Sequence, residues 1–346
     1  MAGYALLLLP SANRVYAEAA AGLARAELQL FGNAGPAGRV GEIAEAAIGG
    51  VRYITFEAPA LDARAVAFLS NVSAAYALFE RTAGLLRPVE LRRLDRYDDD
   101  LMTIQKYQGK TNEQFTKLLL NVTLLSSAFA TEMLTRKLTV LDPLCGRGTT
   151  LNQALTYGFD AAGVDLDQQD FDAYRAFIRT WLQRKRLKHD VSYDGPVRRN
   201  GKVVARRLQI TMAPTKQAWQ AGATQLADIV NADTVAAAEF FRPSSADVVV
   251  TDAPYGVQHG SRSAAKGLAR DPLDLLRQAI PVWARLLRPG GAVGIAWNTL
   301  VASRVDLSAI LAQAGLEPLS EPPYLSFRHR VDQAITRDIL IARKPA

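Results

Sequence analysis

Apolar positions along this chain fall into two alternating patterns. Short, nearly continuous apolar runs mark strands buried on both faces, and longer stretches with apolar residues three or four apart mark helices resting one side on a core. Residues 3–9 (Gly-Tyr-Ala-Leu-Leu-Leu-Leu) predict a strand that Pro10 ends. Ser11 can cap a helix running to about Leu30, with Val15, Ala19, Leu23 and Leu30 among its apolar positions and Gly32 as its stop. Arg52 to Glu57 predicts a second strand and Ala63 to Leu69 a second helix, while Ala74 to Glu80 fits either.

Past Arg87 the character changes. Pro88, a run of arginines and Asp98-Asp99-Asp100 read as a connector, Lys106 to Asn112 as a polar loop, and Glu113 to about Leu134 as a helix. Apolar runs then recur at Thr139–Asp142, Ala161–Val164, Asp228–Asp233, Val248–Val250 and Ala292–Trp297. The first four end at or just before an acid: Asp142, Asp165, Asp233 and Asp252. Tyr324–Phe327 and Asp338–Ala342 are expected to close the sheet as an antiparallel pair. Strands alternating with helices predict an α/β chain with a mostly parallel sheet. The expected organisation is a small α/β domain over residues 1–95, a linker over 96–112, and a second domain over 113–346.

Composition refines this picture. A chain of 346 residues, 49% hydrophobic and 22% charged, suits a soluble protein of two domains. No apolar run reaches the roughly 18 residues of a membrane span, and Tyr4 to Pro10 is too short for an export signal, so a cytoplasmic location is expected. Cys145 is the only cysteine, and His189, His259 and His329 show no ligand spacing, so neither a disulfide nor a metal site is expected.

The net charge of +7 is concentrated in one segment. Arg175 to Lys216 holds 12 lysines and arginines against Asp190 and Asp194, while the remaining 29 basic and 32 acidic residues nearly cancel. A basic insertion on a near-neutral body fits contact with a polyanion, the alternative being a solvated loop. Within it, over about residues 184–216, Asn200-Gly201 sits between two runs able to form strands and predicts a hairpin. That ribbon would carry Arg198, Arg199, Lys202, Arg206 and Arg207 to the phosphates of a polyanion.

The run Asp142-Pro-Leu-Cys-Gly-Arg-Gly-Thr149 is a strand end, a glycine-rich turn and a helix start. Glycines let the backbone approach a ligand closely, and an acid nineteen residues after Gly146 is placed for ribose hydroxyls. A nicotinamide dinucleotide would want a third glycine, where Leu151 stands. A cationic, adenosine-bearing cofactor, S-adenosylmethionine, fits the successive acids better: Asp142 for its ammonium, Asp165 for ribose, Asp233 for the adenine amino group. Pro143, Cys145, Gly146, Gly148, Thr149, Leu166, Thr234 and Asp252 complete the expected cofactor-binding set, with Cys145 as a small packing residue.

Asp252-Ala-Pro-Tyr255 differs by one residue from the Asp-Pro-Pro-Tyr of methyltransferases that modify an exocyclic amino group of a base. With Thr251 before it and Gly256-Val257 after it, with the glycine loop, and with Ala26-Glu-Leu-Gln-Leu-Phe-Gly32 and Tyr76-Ala-Leu-Phe-Glu80, the chain resembles the THUMP-associated tRNA guanosine N2-methyltransferases. Ala253 stands where the family has its first proline, and the N-terminal region is shorter than a ferredoxin-like part plus a complete THUMP domain. The resemblance implies a class I Rossmann-like methyltransferase domain behind a ferredoxin-like or THUMP-like N-terminal domain that meets RNA, most simply tRNA. It further implies that Asp252 and the Ala253 carbonyl orient the guanine amino group, that Pro254 stiffens the turn, and that Tyr255 stacks on the base. A small activator subunit or a homo-oligomer stays open. Two other readings share the motif: a DNA adenine-N6 or cytosine-N4 methyltransferase, and a non-catalytic protein binding cofactor and RNA.

Overall fold

The computed structural model describes residues 1–11, 14–38, 40–253 and 272–346, the side chain of Arg14 excepted. Its N-terminal part runs β1 (Ala2–Leu8), α1 (Arg14–Ala34), β2 (Gly41–Ile48), β3 (Val51–Ala58), α2 (Ala63–Leu69), β4 (Ala75–Thr82) and β5 (Leu85–Val89). All pairs are antiparallel, in the order β2-β3-β1-β4-β5. The first four strands and two helices form the split arrangement of ferredoxin-like domains, with β5 added at an edge. Strand alternation turns Tyr4, Leu6, Ile54, Phe56 and Leu78 inward, where all are buried. Phe31 of α1 meets Phe68 of α2 edge-on with ring centroids 5.1 Å apart.

Three local expectations change here. Gly32 does not stop α1, which runs to Ala34; a Cβ at position 32 would lie 2.7 Å from Val40 Cβ, so glycine lets the returning chain pack closely. Residues 74–80 resolve as a strand because β4 pairs with β1. The strands β2 and β5 were not expected, since both are edges where pairing rather than burial fixes the backbone.

The C-terminal part contains α3 (Asp100–Thr103), α4 (Glu113–Ser126), β6 (Thr139–Asp142), α5 (Thr149–Thr156), β7 (Asp160–Asp165), α6 (Gln168–Arg184), β8 (Lys188–Arg199) and β9 (Lys202–Ala213). It continues with α7 (Lys216–Gln220), β10 (Gln225–Asn231), β11 (Ala246–Asp252), α8 (Pro272–Leu286), β12 (Leu287–Asn298), α9 (Arg304–Gln313), β13 (Glu317–Pro318), β14 (His329–Arg330) and β15 (Thr336–Arg343). The sheet order is β13-β15-β12-β11-β6-β7-β10-β9-β8, with β14 on β15. The central strands β12, β11, β6, β7 and β10 run parallel and β15 runs antiparallel to β12, a Rossmann-like α/β sheet. Strand order reverses between β6 and β11, and a ligand crevice is expected at the carboxyl ends there.

The helix from Glu113 ends at Ser126, and a separate 3₁₀ turn covers Ala130–Leu134. Tyr324–Phe327 is not a strand: Tyr324 N–H donates to Glu321 O and Ser326 N–H to Pro323 O, so the segment turns while Tyr324 and Phe327 fill the core. The partners of β15 are instead β12, β13 and β14. The start of the 96–112 segment is tied to α5 and β10: Arg96 N–H bonds Thr156 O at 2.7 Å, and Tyr97 Oη donates to Gln225 at 2.8 Å. Among the described residues no helix is long and apolar enough to cross a membrane.

A buried polar network joins the two parts. Glu27 of α1, fully buried, accepts from Ser73 N–H, Ser73 Oγ and Asn121 Nδ2 of α4, while Tyr157 Oη donates to Asn121 Oδ1 at 2.8 Å. Burial pushes the Glu27 carboxyl up from 4.5 to about 7, against the pull of the Ser73 and Asn121 bonds. Its folded value lies above its unfolded one, so the folded state binds the extra proton between them. The resulting stability is present at low pH and is lost as pH rises from about 4.5 towards 7. Glu27→Gln should therefore lose less stability than the parent, by roughly 2–3 kcal/mol, when urea unfolding is compared at pH 5 and pH 7.5. Parallel pH profiles for the two proteins would rule this out.

Candidate active site

Parallel strands bring Asp142, Asp165 and Asp252 to one carboxyl edge, with Asp233 two residues past the end of β10. The loop after β6 folds back over two of these acids. Leu144 N–H donates to Asp142 at 3.1 Å, Gly146 N–H to Asp165 Oδ2 at 2.7 Å, and Asp167 N–H to Asp165 Oδ1 at 2.8 Å. Cys145 N–H is held by Val164 O at 2.9 Å. Gly148 has φ 79°, and a Cβ there would lie 2.2 Å from the Tyr174 ring, so only glycine fits. Cys145 is buried against Gly163, and burial pushes its thiol well up, as befits a packing residue.

Burial also raises Asp142 to about 7, with Leu144 N–H and the Thr150 and Thr251 hydroxyls drawing it partly back and the Asp165 charge adding to the rise. Asp165 is raised to about 6 by burial against the pull of the Asp167 and Gly146 amides. The buried Asp142, the half-buried Asp165, an open backbone turn and Leu166, which is 71% exposed beside Asp165, fit a cationic cofactor with a ribose and an apolar-faced adenine. Asp233 and Thr234 have local duties too. Asp233 accepts Val235 N–H at 3.1 Å, and the buried Thr234 hydroxyl receives Trp283 Nε1–H at 2.9 Å. Pro143 and Thr149 lie at the two ends of the loop, and Thr149 Oγ1 is 3.1 Å from Tyr107 Oη.

Asp252 closes β11, the strand next to the loop-bearing β6. Its Oδ2 accepts Thr111 Oγ1 at 2.7 Å and faces Arg337 Nη2 at 3.5 Å. Arg337 is itself buried over the Phe115 ring, 4.3 Å from its centroid. Ala253 is buried, with its N–H donated to Ala296 O at 2.8 Å, so the peptide after Asp252 is fixed on β12. Pro254 and Tyr255, with Gly256 and Val257, lie outside the described residues.

Sequence reading missed Thr111, Arg337 and Tyr107. The connector 106–112 reaches both the start of α5, through Tyr107, and Asp252, through Thr111. Its polar, glycine-containing composition before a capped helix was the only local signal.

The Asn200–Gly201 turn exists, with φ 48° and 79°, and its hairpin is longer than expected, β8 and β9 together reaching from Lys188 to Ala213. The five cations do not form one patch. Arg206 and Arg207 are consecutive on a strand and point to opposite faces: Arg206 pairs with Asp172 at 3.0 Å and Arg207 with the buried Asp228 at 2.6 Å. Arg199 pairs with Glu239. Arg198, bonded to Gly201 O, and the exposed Lys202 stay at the tip. Arg206 pairs with Asn231 at the carboxyl end of β10, so the tip projects beyond the edge that carries the acids.

Residues 119–290 match the family model of the RMKL-like methyltransferase domain. Comparison with curated protein sequences gives no match. Among solved structures, TrmN from Thermus thermophilus is 16% identical with a TM-score of 0.39, over 85% of this chain and 57% of that one. A TehB-like SAM-dependent methyltransferase from Corynebacterium glutamicum is 14% identical with a TM-score of 0.35, over 62% of this chain and 85% of that one. An rRNA methylase from Streptococcus thermophilus is 9% identical with a TM-score of 0.31, over 61% and 88%. On the family match, residues 119–290 are the domain of an enzyme that transfers methyl groups from S-adenosylmethionine.

Proposed function

We propose that this methyltransferase acts on the exocyclic N2 amino group of a guanosine in RNA, in keeping with its resemblance to the tRNA guanosine N2-methyltransferases. The observation that carries the reading is Asp252: a carboxylate one strand from the cofactor loop, clamped by Thr111 and Arg337. An aryl amine has its lone pair in the ring and becomes nucleophilic only as it pyramidalises. A carboxylate and a carbonyl accepting its two N–H bonds favour that shape. Asp252 and the Ala253 carbonyl are the proposed acceptors, and Asp252 or a water beside it takes the proton released. Asp142, Asp165 and Leu166 are proposed to hold the cofactor, which supplies an electrophilic methyl group on sulfur. Pro254 and Tyr255 are proposed to shape the turn and stack on the base.

The N-terminal domain, residues 1–95, is proposed to meet the RNA, together with the tip of the β8–β9 hairpin. Only cations not already neutralised by a carboxylate should release counterions. Arg198→Ala with Lys202→Ala is therefore expected to lower the log–log salt slope of RNA binding by about 1.4, at about 0.7 per phosphate contact. Adding Arg206→Ala and Arg207→Ala should change the slope little further. A slope identical to the parent's in the tip variant would remove the hairpin from the RNA site. The direct test of the reaction is nucleoside analysis of RNA and of genomic DNA after incubation with labelled cofactor. N2-methylguanosine from RNA is expected, and N6-methyladenine or N4-methylcytosine from DNA would replace this reading.

A further inference from the structure

The connector that leads into α4 touches two strand ends of the large sheet within four residues. At Tyr107 the hydroxyl lies 3.1 Å from Thr149 Oγ1 at the start of α5, and the ring lies beneath the Arg147 guanidinium, 4.8 Å from its centroid. Arg147 belongs to the loop after β6, between Gly146 and Gly148, and its own Nε is held by Asp170 at 2.8 Å. At Thr111 the hydroxyl donates to Asp252 Oδ2 at 2.7 Å.

The stretch between these contacts has little slack. Lys110 N–H bonds Tyr107 O at 3.3 Å, and Gly109, at φ 81°, takes the left-handed position that a type II turn needs. Lys110 Nζ donates to Met102 O at 2.6 Å and pairs with Glu113 at 2.5 Å. The Asn112 side chain caps α4 by accepting Phe115 N–H at 3.1 Å. Four residues reach only about 14 Å when fully extended, and a turn shortens that reach. The connector therefore limits how far the loop after β6 can lie from Asp252.

We propose that residues 107–111 are a strut that sets the spacing between the cofactor loop and the Asp252 carboxylate, with Tyr107 and Thr111 as positioning residues at its two ends. This rests on the reading of Asp252 and of the cofactor loop given above, and adds what holds the two in register. Methyl transfer needs donor and acceptor in line, and a displacement of about 1 Å can cost about 10²-fold in rate. Thr111 has one hydroxyl proton and gives it to Oδ2, which fixes the rotation of the carboxylate. Arg337 Nη2 faces the same oxygen from 3.5 Å, so it adds charge where Thr111 adds direction. Thr111 acts on the reaction through Asp252, and Tyr107 acts through the connector.

The test is a pair of double-mutant cycles on the full chain. Single-turnover transfer of labelled methyl to RNA at saturating S-adenosylmethionine gives the rate, urea unfolding without cofactor the stability, and calorimetry the affinity for S-adenosylhomocysteine. Thr111→Val keeps the shape but not the donor, and should lower the rate about 10- to 100-fold, the scale of one bond to a charged group. Thr111→Ser keeps the hydroxyl and should retain most of the rate. Affinity for S-adenosylhomocysteine should be unchanged in both, which also reports an intact fold. In an Asp252→Ala background, Thr111→Val should slow transfer no further, and its cost in unfolding should shrink because its partner is gone. Tyr107→Phe keeps the ring beneath Arg147 and should lower the rate about 2- to 10-fold, the scale of one neutral bond. That loss too should vanish in the Asp252→Ala background. A full rate in Thr111→Val, a serine variant as slow as the valine one, or additive losses in rate or unfolding overturns the proposal. A Tyr107→Phe loss that persists without Asp252, or that arises from weaker S-adenosylhomocysteine binding, places Tyr107 on the cofactor and overturns the strut. Where the Asp252→Ala rate is too low to compare, the unfolding cycle and the serine–valine pair decide. Full turnover in Asp252→Ala overturns the reading of Asp252 and the strut together. A slow Asp252→Ala beside a full-rate Thr111→Val overturns the strut alone.

Discussion

Asp252→Ala is expected to lower methyl transfer by about 10²–10³-fold, the range for deleting one preorganised polar group from a transition state. The carboxylate is the group best placed to gain strength as the amine pyramidalises, because Thr111 and Arg337 already fix its position and no reorganisation is needed. Affinity for S-adenosylmethionine should change little, since the proposed cofactor contacts lie on Asp142, Asp165 and Leu166. Some stability should be lost as well, because the change removes the Asp252 carboxylate that faces the buried Arg337 at 3.5 Å. Asp252→Asn keeps the shape and one acceptor oxygen, so it should fall between parent and alanine variant in rate. Single-turnover transfer of labelled methyl to RNA measures the rate, calorimetry the cofactor affinity, and thermal unfolding the stability. Full turnover in the alanine variant would end the amino-methyltransferase reading.

The second large effect is expected at Asp165. Losing a charged acceptor to the ribose typically costs roughly 1.5–3 kcal/mol, or about 10- to 100-fold in affinity. Here the side chain also carries the loop, taking Gly146 N–H on one oxygen and Asp167 N–H on the other. Alanine therefore removes the proposed ligand acceptor and loosens the turn after β6. Asparagine is not a benign replacement, because its amide N–H would face either the Gly146 or the Asp167 donor. Both variants should bind S-adenosylmethionine more weakly by calorimetry, while RNA binding at fixed salt is retained. Unchanged cofactor affinity in Asp165→Ala would disprove the ribose assignment.

The sequence by itself determined the features that neighbouring residues encode. An unbroken apolar run that stops at an acid identifies a buried parallel strand and its carboxyl end, as at Val248–Asp252 and Thr139–Asp142. Asn200-Gly201 identifies a turn, because both residues tolerate the positive φ that the tight hairpin requires. Gly148 marks a left-handed turn for the same local reason. The edge strands β2 and β5 escaped, because backbone pairing with a neighbour, and not a burial period, makes them strands. Tertiary structure alone decided what surrounds Asp252. Thr111 lies 141 residues before Asp252 and Arg337 85 after it, and the two meet it only because the connector reaches the end of β11 and the start of β15 lies across β12 from it. The same holds for the basic segment. Its charge was plain in the sequence, yet Arg206 and Arg207 are neutralised by Asp172 and Asp228, carboxylates from α6 and β10. A charge's partner depends on sheet order and strand facing, and no stretch of neighbouring residues contains either.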